Sequence, residues 1–214
     1  MQSLINIMVK KITCIRHGTA LHNVMFDKIG VRAYSDYRDT PLVERGVQES
    51  KELGNTWDAK SEIDTVFVSP AFRTLDTATN IFNPDKKKDI RMIALDCLIE
   101  YPCSDNCNRR QDLKTLNKLY PHIDFSQIKN EVYIEKESES MLELKERIHV
   151  FNREVLKTEN KGLNIAMVGH SSYIKTMMGL DVGDERNELK HCFPYEVSIE
   201  YTDKHNNNYD KCRI

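Results

Sequence analysis

Four short runs of consecutive apolar and β-branched residues set the fold class of this chain. They are ITCI at 12–15, TVFVS at 65–69, RMIAL at 91–95 and NIAMV at 164–168. Their apolar residues are consecutive rather than alternating, which is typical of strands that are buried on both faces. Strands of this kind form parallel sheets, whose neighbouring strands are connected by helices. The runs therefore predict the central strands of an α/β protein.

Helical patterns lie between these runs, with apolar or small residues on one face of each. Their members are Val47, Ser50 and Trp57; Leu75, Ala78 and Phe82; and Met141, Leu144, Ile148, Phe151 and Val155. We expect a three-layer α/β/α fold, in which a mostly parallel central sheet carries helices on both faces. The segment YEVSIEY at 195–201 alternates apolar and polar residues, which predicts a strand at the edge of the sheet.

The segment 97–135 has few periodic apolar residues and follows the third predicted strand. In open α/β folds an irregular insertion at this point often covers the ligand crevice. We expect a lid-like insertion that shapes the substrate site, within a single domain spanning 1–214.

Composition argues against several classes of partner. The chain has 31 Lys and Arg and 33 Asp and Glu, so its net charge of −2 gives no reason to expect nucleic acid or an anionic membrane as a partner. The first residues lack the layout of a signal peptide, and no run approaches the roughly 20 apolar residues of a membrane helix. We expect a cytoplasmic protein whose six cysteines are reduced, with no zinc site at Cys103 and Cys107.

Charged and nucleophilic residues follow each of the four predicted strands. Arg16 and His17 follow the first run, Arg73 lies just beyond the second, Glu100 follows the third, and His170 follows the fourth. The ligand crevice of a doubly wound sheet lies beyond the carboxyl ends of its strands. These five side chains are therefore expected to converge.

A phosphoryl group would account for this combination of residues. Two guanidinium groups repel each other unless an anion lies between them, and arginine matches phosphate oxygens in a bidentate geometry. An imidazole can attack phosphorus directly, and a carboxyl group such as that of Glu100 can protonate the leaving oxygen. For attack by His17, its other ring nitrogen is expected to donate to a nearby backbone carbonyl, while His170 is expected to be protonated and to donate to phosphate.

Other interpretations exist for each residue taken singly. An arginine at a helix start or a carboxylate in a loop is usually a solvated surface charge, and His170 could simply cap a helix. We put the chance that these explanations hold at all four strand ends at once at roughly one in ten. His17, His22 and His170 could also bind a metal, but two neighbouring arginines would repel a divalent cation. We therefore expect no metal and no cofactor.

The motifs resemble those of the histidine phosphatase superfamily, also called the phosphoglycerate mutase-like family. The resemblance rests on RHG at 16–18, SPAFRTLDTA at 69–78, the acidic residue after LDCLI, and GH at 169–170. It implies that His17 becomes phosphorylated, that Arg16, Arg73 and His170 hold the phosphoryl oxygens, and that Asn23 lies near the phosphate. Glu100 matches the position of the general acid, and His22 receives no catalytic role.

Two segments depart from the family pattern. Ser171 replaces the glycine that often follows the second histidine, and PCSDNCN at 102–108 interrupts the usual sequence after the acid. The second departure bears on the substrate pocket rather than on the phosphoryl pocket. Loop residues Lys28, Arg32 and Arg38 could meet a second acidic group of the substrate, although exposed loop charges are usually solvated.

Together these observations predict a metal-independent phosphohydrolase that acts on a small phosphorylated substrate through a phosphohistidine intermediate. Two alternatives stay open. A phosphoglycerate-type phosphomutase would use the same residues, and a catalytically weak binding module would hold a phosphorylated ligand without turnover. The edge strand at 195–201 is one surface through which two copies can pair as a homodimer.

Overall fold

The computed structural model, which describes residues 7–82, 90–159 and 163–202, contains a six-stranded sheet. The strands are β1 (Ile7–Arg16), β2 (Thr65–Val68), β3 (Arg91–Ala94), β4 (Ile123–Asp124), β5 (Ile165–Gly169) and β6 (Pro194–Thr202). They lie in the order β4-β3-β2-β5-β1-β6, and all pairs are parallel except β1 with β6. This arrangement confirms the predicted mostly parallel sheet.

Helices cover both faces of the sheet. They are α1 (Leu21–Ile29), α2 (Arg32–Asp36), α3 (Glu44–Thr56), α4 (Phe72–Phe82), α5 (Leu113–Leu119), α6 (Met141–Glu159) and α7 (Ser171–Met177). Residues of α6 and α7 share one core cluster with Cys14, Phe67 and Met167 of the strands. Residues of α4 and α5 share a second cluster with the alternate strand residues, among them Val66 and Val168. The two clusters are the two faces of the sheet, which confirms the three-layer prediction.

The long helix α6 follows its predicted periodicity. Leu144, Ile148, Phe151 and Val155 are all at most 1% exposed, and they recur at the spacing of one helical face. Met141, which the pattern also placed on this face, is exposed, because it is the first residue of the helix.

Strand β6 lies at the sheet edge, as its alternating pattern predicts. Val197 and Ile199 are buried, while Glu196, Ser198 and Glu200 are exposed. The strand pairs antiparallel with β1, and the Lys11 ammonium lies 2.8 Å from the Glu196 carboxylate across that pair. Pairing of two copies through this edge stays a prediction.

The segment 97–135 is more regular than its sequence indicates. It contributes α5 and the edge strand β4, and Ile123, Phe125 and Ile128 join the second core cluster. A strand of two residues is too short to produce a recognisable periodicity. The fully buried Arg110 connects the segment to the turn after β3, because its Nε lies 2.7 Å from Oδ1 of Asp96. Its other nitrogens donate to backbone carbonyls within the segment.

The five cysteines in the described part of the chain carry free thiols, and Cys212 lies outside that part. None of the helices found in the described ranges is long and apolar enough to cross a membrane.

Candidate active site

The carboxyl ends of β1, β2 and β5 meet at one edge of the sheet and open into a cavity of about 410 Å³. Arg16 of β1 lies opposite Gly169 of β5, and the backbone N–H of His17 donates to the Gly169 carbonyl at 3.0 Å. Five of the six predicted site residues line the cavity: Arg16, His17, Asn23, Arg73 and Glu100. The sixth, His170, is fully buried, and its ring centroid lies 5.3 Å from that of His17.

The His17 ring is held in one tautomer by its own loop. Its Nδ1 lies 2.7 Å from the Gly18 carbonyl oxygen, which can only accept, so Nδ1 carries the hydrogen and Nε2 keeps its lone pair. Burial lowers the pKa of His17 well below its usual range, and the nearby Arg73 guanidinium lowers it further. The ring is therefore neutral at physiological pH, with Nε2 available as a nucleophile.

The loop after His17 packs directly against the start of α3. A Cβ on Gly18 would lie 2.5 Å from the Gly46 carbonyl oxygen, and one on Gly46 would lie 2.1 Å from the Thr19 carbonyl oxygen. Only glycine at both positions permits this approach of the two backbones. The Gly18 N–H donates to Thr77 Oγ1 of α4 at 3.0 Å, so helices on both sides of the loop fix its path.

Two buried guanidinium groups flank the cavity. Arg73 is 1% exposed and donates to the Cys107 carbonyl and to Asn108 Oδ1, each at 2.7 Å. Arg16 is 8% exposed and donates through Nη1 to the Leu189 carbonyl. The Nε atoms of both arginines are buried without a hydrogen-bond partner in the structure. Buried donors of this kind are costly unless a ligand satisfies them, and an oxyanion is the ligand that suits two cations.

His170 lies behind Arg73 and is neutral. Nη2 of Arg73 donates to Nδ1 of His170 at 3.2 Å, and Nε2 of the ring lies 2.8 Å from Ser69 Oγ. Burial lowers the pKa of His170 well below its usual range, and the Arg73 charge adds to this effect. The expectation of a protonated His170 is therefore wrong for this arrangement, because an arginine guanidinium already occupies its Nδ1 lone pair.

Glu100 lies in the cavity wall and also accepts backbone N–H groups at the start of α7. Its carboxylate accepts backbone N–H groups from Tyr101 at 2.8 Å, Ser172 at 3.1 Å and Tyr173 at 3.2 Å. The last two belong to the first turn of α7, whose N-cap residue His170 makes no side-chain capping bond. Burial raises the pKa of Glu100, although these donors and Arg73 oppose the rise. A raised pKa favours the protonated form that a general acid needs.

Asn23 and His22 form the wall contributed by α1. Oδ1 of Asn23 accepts the Ala20 N–H at 2.9 Å, which leaves its amide NH₂ as the donor toward the cavity. Nδ1 of His22 lies 2.5 Å from Thr40 Oγ1, and its ring centroid lies 5.7 Å from that of His17. Burial lowers the pKa of His22 to about 2, so this ring is a neutral part of the wall.

The loop cations named from the sequence do not reach this cavity. Arg32 pairs with Asp36 at the surface, Arg38 donates to the Arg110 carbonyl, and Lys28 is exposed on α1. Lys175 of α7, which is 6% exposed, lines the cavity instead. No three His, Cys, Asp or Glu side chains within residues 7–82, 90–159 and 163–202 are arranged to share a metal ion.

The sequence profile of the histidine phosphatase superfamily (branch 1) matches residues 12–207, which is most of the chain. The match spans every residue of the cavity described above. The chain belongs to this superfamily. A phosphoglycerate mutase-like protein of Arabidopsis thaliana is 26% identical over 214 residues, covering 85% of this chain and 78% of the relative.

Two solved phosphatase structures share the fold. The ecdysone phosphate phosphatase of Bombyx mori, in complex with tungstate, aligns with a TM-score of 0.60 at 18% identity, covering 96% of this chain and 97% of that one. The alpha-ribazole phosphatase of Shigella flexneri aligns with a TM-score of 0.56 at 18% identity, covering 90% of each chain.

Two further residues of the site do not follow from the positions of the strand ends. Asn108 belongs to the segment PCSDNCN, which was expected to affect only the substrate pocket, yet its Oδ1 accepts from Arg73. His191 lies in a loop before β6, with its ring centroid 5.5 Å from that of His17. Neither residue follows a strand of the parallel core, so the strand-end rule that located the others could not identify them.

Proposed function

We propose that this chain is a metal-independent phosphohydrolase that acts on small phosphomonoesters through a phosphohistidine intermediate. The observation that carries the proposal is the tautomer of His17 and its place in the cavity wall. Its Nδ1 hydrogen is directed to the Gly18 carbonyl, and its ring lines a cavity flanked by two guanidinium groups with unpartnered Nε donors. Membership of the superfamily and the phosphatases among its structural relatives agree with it.

The first step transfers the phosphoryl group to the protein. Nε2 of His17 attacks phosphorus in line with the ester oxygen, and the P–O bond breaks as the P–N bond forms. The leaving oxygen takes its bonding electrons and a proton from the carboxyl group of Glu100. Arg16 and Arg73 neutralise the charge that spreads over the equatorial oxygens, and the Asn23 amide adds a neutral donor.

The second step returns the protein to its starting state. The Glu100 carboxylate takes a proton from water, whose oxygen attacks the phosphohistidine and breaks the P–N bond. Inorganic phosphate leaves, His17 regains its Nε2 lone pair, and Glu100 is again protonated. The preorganised arginines supply the charge neutralisation in both steps, so the scheme contains no metal ion.

Steady-state turnover of p-nitrophenyl phosphate tests the proposal, with the His17→Ala variant beside the wild type. We expect turnover by the wild type that survives a metal chelator, and none by the variant. Mass spectrometry of the acid-sensitive intermediate should find one added phosphoryl group on the peptide that contains His17. Turnover by His17→Ala would overturn the nucleophile assignment.

Product analysis separates the two alternative activities from hydrolysis. Release of inorganic phosphate from a panel of phosphosugars, phosphoglycerates and nucleotides supports a phosphohydrolase. Transfer of the phosphoryl group to a second position of the same substrate would identify a mutase instead. Binding of phosphorylated ligands without any phosphohistidine would identify a binding module.

A further inference from the structure

Residues 188–192, which precede β6, contact the nucleophile loop at several points. The Leu189 carbonyl accepts from the Arg16 guanidinium, whose Nη1 also lies 3.4 Å from Oε1 of Glu188. The Cys192 N–H donates to the Arg16 carbonyl at 3.0 Å. Nδ1 of His191 lies 2.6 Å from the His17 carbonyl oxygen, which can only accept, so Nδ1 of His191 is the donor. One short segment thus contacts both the guanidinium and the backbone of the RHG motif.

The peptide group that joins His17 to Gly18 is held at both of its polar atoms. Its carbonyl oxygen accepts from His191, and its N–H donates to Thr77 Oγ1 at 3.0 Å. Because the peptide group is planar, fixing both atoms fixes the orientation of the whole unit. The Gly18 carbonyl that accepts from Nδ1 of His17 comes directly after this unit. The orientation of the His17–Gly18 peptide group therefore helps set the direction of the nucleophile.

The backbone is strained at Cys192, directly after His191. Cys192 has a φ of +47°, in the left-handed region that residues other than glycine rarely adopt. The Lys190 N–H donates to the Tyr195 hydroxyl at 2.8 Å, so the segment is anchored to β6 on the other side of His191. A non-glycine residue in this region persists only when surrounding contacts hold it, and such positions cluster at functional sites.

We propose that His191 is a positioning residue for phosphoryl transfer, which acts by donating a hydrogen bond to the His17 carbonyl. It is not among the described residues that line the cavity, so the proposed role acts through His17 rather than on the substrate. It differs in this from His22, which forms part of the cavity wall. The inference rests on the proposed function of His17 as nucleophile.

A pair of substitutions separates the hydrogen bond from the volume of the ring. His191→Leu keeps most of the volume and removes the donor, whereas His191→Asn places an amide N–H close to the position of Nδ1. We expect His191→Leu to lower kcat for p-nitrophenyl phosphate about tenfold or more with KM within about twofold, since small misplacements of a reacting group reduce the rate steeply. His191→Asn should stay within about threefold of the wild type.

His122→Leu is the matched control, because His122 contacts Thr79 Oγ1 at 2.9 Å on the surface of α4 and lies outside the cavity. We expect wild-type kcat from it. Wild-type kcat in His191→Leu would overturn the proposal. So would equal losses in His191→Leu and His191→Asn, because the donor would then not matter, and so would a change confined to KM.

A measurement on the wild-type protein keeps the proposal testable if His191→Leu does not fold. Long-range ¹H–¹⁵N correlation spectra report which ring nitrogen of each histidine carries the hydrogen. We expect the Nδ1–H tautomer for His191 and for His17, and a His191 hydrogen on Nε2 alone would overturn the proposal. This readout needs no turnover, so it separates failure of the inference from failure of the proposed phosphohydrolase.

Discussion

Arg73 is the most deeply buried cation of the cavity, at 1% exposed, and its Nε has no partner. We expect Arg73→Ala to lower kcat/KM by the equivalent of about 2–4 kcal/mol, as for the loss of other preorganised donors in a dry site. Steady-state kinetics with p-nitrophenyl phosphate measures the change. Arg91→Ala is the control, because Arg91 begins β3 at the opposite end of the sheet and is exposed. Equal kinetics for Arg73→Ala and wild type would contradict this role.

Glu100 is expected to matter in proportion to the basicity of the leaving group. Glu100→Gln removes the proton donor, which an alkyl alkoxide needs and a p-nitrophenolate scarcely needs. We therefore expect a loss of phosphorylation rate of about 10²-fold or more for glycerol phosphate and a much smaller loss for p-nitrophenyl phosphate. Single-turnover kinetics with both substrates isolates this step. Equal losses for the two substrates would assign Glu100 to the α7 terminus rather than to proton transfer.

The sequence identified much of the site because the carboxyl ends of parallel strands meet at one edge of the sheet. Arg16 is the last residue of β1, and His17 and His170 directly follow β1 and β5, so their convergence follows from the parallel topology. The proton position on His17 follows the predicted contact with a backbone carbonyl, whereas that on His170 depends on Arg73, a contact between atoms that no pattern of residues indicates. For this reason the sequence predicted the proximity of His170 but gave it the wrong protonation.

At the scale of elements, Asp39 joins three parts of the chain. Its carboxylate accepts the Phe72 N–H at the start of α4 at 2.9 Å and the Gln111 N–H ahead of α5 at 3.1 Å. Its own N–H donates to the Asn106 carbonyl at 3.3 Å. Asp39 is 1% exposed, and burial raises its pKa from 3.8 to about 6 despite these hydrogen bonds.

The raised pKa of Asp39 predicts a pH-dependent stability. Between about pH 4 and pH 6 the folded protein retains a proton on Asp39 that the unfolded chain has lost, so the free energy of unfolding falls as pH rises through this range. The loss amounts to about 3 kcal/mol and is complete above this range. Urea unfolding of wild type and Asp39→Asn from pH 4 to pH 8 measures it as the difference between the two.

Asp58→Asn, at an exposed position, is the control for the Asp39 experiment and should keep the wild-type pH dependence. An identical pH dependence in Asp39→Asn would show that other carboxyl groups cause the change.

The elements differ in how far the sequence predicts them. Each apolar run coincides with a strand, and α6 keeps its apolar face, because burial on a sheet requires a repeating pattern. Strand β4 consists of Ile123 and Asp124 only, and its place beside β3 depends on contacts distant in sequence. The segment before it is held by Arg110 through an ion pair and backbone carbonyls, which leave no periodic signal.

At the scale of the whole molecule, the proposed anion site predicts that ligand binding raises global stability. An anion that satisfies buried donors in the folded state, and finds none in the unfolded chain, stabilises the fold by mass action. At about 100 times its Kd, tungstate should add about 2.7 kcal/mol. For a chain of this size that corresponds to a Tm increase of about 5–10 °C, measured by circular dichroism.

Two controls assign the tungstate effect to the cavity. Sodium chloride at the same ionic strength should leave Tm almost unchanged, and the tungstate shift should be much smaller in Arg73→Ala. A full shift in Arg73→Ala would place the anion elsewhere on the protein.

The contacts of Glu100 give the reaction a consequence for the backbone of α7. As an ionised carboxylate, Glu100 accepts strongly from the N–H groups of Ser172 and Tyr173, which begin the helix. When it holds the proton that the proposed reaction requires, the same oxygens are weaker acceptors. In the proposed reaction these hydrogen bonds would therefore strengthen when Glu100 loses its proton and weaken when it regains one. Lys175 lies in the following turn of the helix and in the cavity wall. The hydrogen bonds at the start of α7 thus connect the protonation state of Glu100 to the helix that carries Lys175 in the cavity wall.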